Sequence, residues 1–198
     1  MPTLVHEFAW PDRVVVGTVG VPGSRTFYMQ VRSGKQTVSV ALEKQQSQLL
    51  AEKISEILDQ LMNLTGNPFS VPAVTPIELV DNDPLEQPIE EQFRTGAMSL
   101  GWDPTTAQIV IEVYPLEVDP DEGPNDEPTD NDTDDPDDDA DLREPSQLLV
   151  VRMPVGTAQA FAKRTHEVVG AGRPLCVLCG APIDPEGHVC VLPGDDER

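Results

Sequence analysis

The sequence predicts an α+β fold, an antiparallel sheet made from two βββα pseudo-repeats with both helices on one face, followed by a small C-terminal tail. Three observations predict it. Short apolar segments alternate with period two, two longer segments repeat apolar residues every three or four positions, and all three cysteines fall within residues 176–190. Strand, strand, strand, helix describes residues 13–65, and it describes residues 93–170 once an acidic insert at 119–144 is set aside. Gly17-Thr18-Val19 beside Gly96-Ala97-Met98 is a local echo of that repetition. On this reading residues 1–118 and 145–172 make one body, residues 67–92 connect the repeats, and residues 173–198 form the tail.

Residues 4–9 and 14–19 are apolar and β-branched, and the Gly20-Val21-Pro22-Gly23 stretch that follows has the composition of a turn. Phe27, Met29 and Val31 alternate with Tyr28 and Gln30; Ser33-Gly34-Lys35 then turns the chain into Val38, Val40 and Leu42. The period changes at residues 46–61. Leu50, Ile54, Ile57, Leu58 and Leu61 line one face of a helix that Gly66 and Pro68 stop. Five prolines between residues 67 and 88 exclude a helix or a central strand there and imply an extended connection over the surface. Strands return at residues 94–100, 109–114 and 147–153. A second helix, residues 157–169, carries Ala158, Phe161, Ala162, Thr165, Val168 and Val169 on one side.

Charge excludes several functions. The chain carries −22, and residues 119–144 hold fourteen acidic side chains against Arg143 alone. With no compensating cluster of Lys and Arg, phosphate backbones and anionic lipid surfaces would be repelled, so no nucleic acid and no membrane is expected as a partner. The insert itself is expected to be solvated and without a fixed fold. Its Asp130, Asp132, Asp134, Asp138 and Asp141 approach a calcium-loop spacing, but Asp135 stands where that loop needs glycine and no helices flank it. No leader or spanning segment is legible, and the clustered cysteines do not suit a disulfide framework; both point to a reducing cytoplasm.

The tail carries the most specific pattern. Cys176-Val177-Leu178-Cys179-Gly180 has the form of a zinc knuckle, in which two thiolates reach one ion when the chain turns tightly. His188 and Cys190, two apart, point to the same side of an extended segment and can face the knuckle. Three sulfurs and one imidazole, from Cys176, Cys179, His188 and Cys190, would close a tetrahedral zinc shell with no open position, which marks a structural ion. Asp184 is the alternative to His188 as the fourth donor.

Catalysis has little support. There is no phosphate-binding glycine loop, nucleophile elbow or HExxH pattern. His6 lies in an apolar strand and His166 on a charged helix, both ordinary structural or solvated settings. Glu112 is the carboxylate expected to be partly buried, paired with Arg25 or Arg94.

The Glu43-Lys44-Gln45 entry to the first helix, the segment from Gly96 to Asp103, and above all Cys176-x-x-Cys179-Gly180-x-Pro182-x-Asp184-Pro185-x-Gly187-His188-x-Cys190 resemble an uncharacterised, chiefly actinobacterial family. The likeness runs along nearly the whole chain outside the insert. It departs from the usual pattern at Val191, where members commonly have proline. The resemblance brings no activity and no catalytic residue with it. The function expected is that of a cytosolic, non-enzymatic interaction or adaptor protein with a structural zinc and a protein partner or second copy. The competing expectation is an enzyme of phosphate or nucleotide metabolism using Arg25, Lys44, Arg94 and Glu112 between the repeats.

Overall fold

A computed structural model describes residues 3–21, 23–116, 145–171, 176, 178, 179 and 190. Expectations about the acidic insert at 119–144, Pro22, His188, Asp184 and most of residues 173–198 lie outside the described residues. The strands are β1 (Leu4–Ala9), β2 (Arg13–Val21), β3 (Ser24–Ser33), β4 (Gln36–Leu42), β5 (Glu91–Asp103), β6 (Gln108–Pro115) and β7 (Gln147–Pro154). Helix α1 (Lys44–Met62) follows β4, and α2 (Val155–Gly170) follows β7. The chain is therefore mixed α/β, with seven strands in one sheet and two helices among the described residues. Among the described residues no helix is long and apolar enough to cross a membrane.

The sheet order is β1-β7-β6-β5-β4-β3-β2. Hairpin-linked strands pair antiparallel, as the turns require. The expectation of a wholly antiparallel sheet needs correction, because β4 pairs with β5 and β1 with β7 in parallel. Period-two alternation identifies a strand but not its direction. A long crossover, here α1 and the connection after it, is what permits a parallel neighbour.

Order and connectivity together bend the sheet. β1 and β2 occupy opposite edges, yet only Trp10, Pro11 and Asp12 join them. Four Cα steps reach at most about 15 Å, whereas six strand spacings across a flat sheet come to about 29 Å. The sheet must curl until its edges converge at this link. The link is fastened on both sides: the Trp10 amide donates to the Arg152 carbonyl of β7 (3.2 Å), and the Gly34 amide of the β3–β4 turn donates to Asp12 Oδ2 (2.6 Å).

The concave side holds the core. Phe8 from one edge, Val14 and Val16 from the other, and Met29, Val40, Ile109, Ile111, Leu149 and Val151 between them pack with Leu50, Ile54 and Leu58 of α1 and Ala158, Phe161 and Ala162 of α2 in one cluster. Both helices therefore bury their apolar stripes against the same face, α1 entering through a capping box between Glu43 and Gln46.

The connection at residues 63–90 runs around the β2 edge. Phe69 packs edge-on against Trp102 with ring centroids 4.8 Å apart, and Gln159 of α2 donates to the Pro72 carbonyl (2.8 Å). At the β2 edge, Asp81 receives both Arg13 (2.6 and 3.0 Å) and Arg164 (2.7 Å), while Arg164 Nε donates to the Val16 carbonyl (3.1 Å). Farther on, Leu85 sits where a Cβ on Gly17 would be, 2.6 Å away, and Gln30 exchanges hydrogen bonds with the Glu86 backbone (2.8 and 3.1 Å). Gly17 and Gln30 point away from the helices, so this strap covers the convex face of β2 and β3. It also lies against the Arg13 end of the β2 edge, a part of the strand that would otherwise be open to pairing.

The arginine clamp yields a stability prediction. The hydrogen bond from Arg13, opposed by burial, holds the Asp81 carboxyl below its ordinary value of 3.8. A carboxyl with a depressed folded pKa stabilises the fold above the ordinary range and loses that contribution as pH falls through its folded value. Asp81→Asn leaves two guanidinium groups only 10% and 11% exposed without their carboxylate. It should cost about 3 kcal/mol at neutral pH, a fall of roughly 10 °C in melting temperature. Melts from pH 7 to 3 should show the gap to the unmodified protein narrowing below about pH 4. A gap independent of pH would contradict the assignment.

A second prediction concerns β5, whose register shifts between Thr95 and Met98. A Cβ on Gly96 would lie 2.8 Å from the Pro115 carbonyl oxygen and 2.9 Å from Leu116 Cα, both backbone atoms that cannot rotate away. Gly96→Ala should destabilise by about 2 kcal/mol. Gly101→Ala on the same strand meets nothing within 4 Å, and in chemical denaturation it should stay within about 0.5 kcal/mol of the unmodified protein.

Candidate metal centre

The C-terminal end of α2 fixes where the tail departs. Arg25 Nη2 donates to the Ala171 carbonyl (2.7 Å), and its guanidinium lies 5.8 Å from the Phe27 ring centroid, so the end of the helix is tied to the beginning of β3. Beyond it, Cys176 is buried and Cys179 and Cys190 are partly exposed. The three sulfur atoms lie within 4.8 Å of one another, with Cys176 Sγ and Cys190 Sγ 3.8 Å apart. Among the described residues this is the one group of three or more His, Cys, Asp or Glu side chains whose donor atoms converge closely enough to hold a metal ion.

The local backbone explains part of this convergence. The Leu178 amide donates to Cys176 Sγ at 3.4 Å, a hydrogen bond that requires the chain to turn tightly immediately after Cys176 and so brings Cys179 round to the same side. Backbone amides of Cys179 and Leu178 favour the thiolate and bring the Cys176 thiol down to about 6. Cys190 is pushed up to about 11, first by its hydrogen bond with Cys179, then by burial and by Cys176. One sulfur thus sheds its proton readily and the next resists. Crowded thiolates repel, and a bound cation would remove that penalty and draw the remaining protons off.

Of the four expected ligands, the structure brings three together; His188 lies outside the described residues. Three groups of the competing enzymatic expectation, Arg25, Arg94 and Glu112, are engaged separately. Arg25 holds Ala171, Arg94 pairs with Glu43 (2.8 Å), and Lys44 opens α1. Glu112 accepts from Tyr114 Oη at 2.9 Å, which raises the Tyr114 phenol, so neither Arg25 nor Arg94 is its partner as expected. His6 is half-buried on β1, and His166 is exposed on α2 beside a cleft of about 380 Å³ that also borders Asp59 and Glu167.

Sequence reasoning missed the Arg13–Asp81–Arg164 cluster and the cavity of about 520 Å³ beside it, bounded by residues 78–83, the start of β2 and Phe161 of α2. Its guanidinium groups are spent on Asp81 and on the carbonyls of Asp81, Asp83, Pro84 and Val16. The cluster is thereby a clamp on the strap. Partners 68 and 83 positions apart leave no local spacing signal.

Comparison with known proteins gives one positive result. No curated protein and no solved structure matches the chain. A family model described as "Protein of unknown function (DUF3090)" matches residues 6–190, a span that includes His6, His166, Cys176, Cys179, His188 and Cys190. The chain belongs to the DUF3090 family.

Proposed function

We propose that this protein is a zinc-binding, non-enzymatic interaction protein in which Cys176, Cys179, His188 and Cys190 hold one structural zinc ion. The observation that carries the reading is a distance. Zinc–thiolate bonds of about 2.3 Å in a tetrahedron place neighbouring sulfurs about 3.8 Å apart, and Cys176 and Cys190 stand at 3.8 Å. Thiol groups gathered this closely, one of them readily ionised, match a closed shell that an imidazole would complete. The ion would order a segment too short to bury a core of its own, since zinc binding contributes on the order of 10 kcal/mol to the folding of such peptides. A shell without an open position leaves no site for substrate or activated water, so the role is to shape a surface for a protein partner or a second copy in a reducing cytoplasm.

The two βββα runs support reading the body as a pair of pseudo-repeats. β5 lies parallel beside β4, and β1 lies parallel beside β7, so each three-stranded unit ends against a strand in the same relation. Gly17 and Gly96, each in the first strand of its unit, are both positions where a side chain would strike a neighbour. The enzymatic alternative has less support, because Arg25, Arg94 and Glu112 serve different local contacts.

Elemental analysis of the purified full chain tests the metal. We expect about one zinc per chain, and loss of most of it in Cys176→Ser with the melting of the body retained. Stoichiometric zinc in Cys176→Ser would refute the assignment.

A further inference from the structure

The same cysteines also bear on regulation, an inference that rests on the zinc reading. Cys176 Sγ and Cys190 Sγ are in contact at 3.8 Å with no residue between them, and 14 positions separate them in sequence. A disulfide needs about 2.05 Å, so a closure of under about 2 Å would join them. Cys190 is partly exposed, whereas Cys176 is only 8% exposed. A small oxidant therefore reaches the first sulfur more easily than the second. The resolving thiol is already positioned behind it.

We propose that the centre is an oxidation-releasable latch, in which a hydroperoxide converts Cys176 and Cys190 to a disulfide and expels the ion. With its proton drawn off by the ion, Cys190 attacks one peroxide oxygen as the thiolate and the O–O bond breaks. The departing hydroxide takes a proton and leaves as water, and Cys190 becomes a sulfenic acid. The Cys176 thiolate then attacks the Cys190 sulfur. The S–O bond breaks, a second hydroxide takes a second proton and leaves as water, and the S–S bond forms. Each sulfur gives up one electron and the peroxide accepts both. Of the four donors only Cys179 and His188 remain, too few for a structural zinc shell. The shell is lost, and any surface that depended on the ion goes with it. Thiol reductant and zinc reverse the change.

The test uses the full chain as purified, with its zinc measured first. Hydrogen peroxide is added in near-stoichiometric amount while a chromogenic chelator follows released zinc, thiols are counted and a peptide map locates any disulfide. The expected result is release of the bound zinc with loss of two thiols per chain and a linked Cys176–Cys190 peptide, all restored by dithiothreitol and zinc. Zinc retained with thiols intact, at peroxide levels that oxidise glutathione under the same conditions, would overturn the proposal. A disulfide involving Cys179, or release through sulfinic and sulfonic acids alone, would overturn it as well. A chain with no zinc at the outset would count against the metal reading instead, and the thiol count and peptide map would then decide the pairing on their own.

Discussion

Three residues, Trp10 to Asp12, join strands at opposite edges of a seven-stranded sheet, and the rest of the architecture follows from that short reach. Because the link cannot span a flat sheet, the edges converge and one face becomes a trough. Two helices fill it. α2 leaves the end of β7 and comes to lie along β2, where Arg164 reaches the Val16 carbonyl. The point at which α2 ends, tied by Arg25 to Ala171, sets where the cysteine segment begins.

Curvature also determines what the strap does. A strand edge beside a convex face would present unpaired amides and carbonyls to any passing chain. Here the strap turns over the β2 edge, held by Asp81 between two arginines, and then lays Leu85 into the space that Gly17 leaves open. The burial of Arg13 and Arg164 is tolerated because each guanidinium finds a carboxylate and several carbonyls. An ion cluster of this kind specifies one path for a proline-rich segment that has no regular structure of its own, apart from one short 3-10 turn at Ile77–Leu79.

What the sequence made legible was local. Alternation or β-branched composition placed the strands and the three-and-four spacing placed both helices, since these signals depend on the chain's own local geometry. Strand direction was not legible, because alternation carries no direction and the helix and strap between β4 and β5 permit a parallel neighbour without requiring one. The clamp was not legible either, its partners being far apart in sequence. Glu112 is a different case. Tyr114 lies two residues along the same strand and so on the same face, which made it the nearer partner, and the long-range arginines were the wrong expectation. The cysteine cluster was legible because a two-residue gap closed by a tight turn is chemistry written within five residues, and the Leu178 amide on Cys176 Sγ is its local signature.

The cysteine cluster is the link between this framework and the function proposed for it. The body supplies an anchored departure point, and three sulfurs converge beyond it at a separation suited to a shared tetrahedral ion. The most direct measurement is X-ray absorption at the zinc edge on the purified full chain. The account predicts three sulfur neighbours at about 2.3 Å and one nitrogen at about 2.0 Å. A first shell of oxygen and nitrogen alone would contradict it.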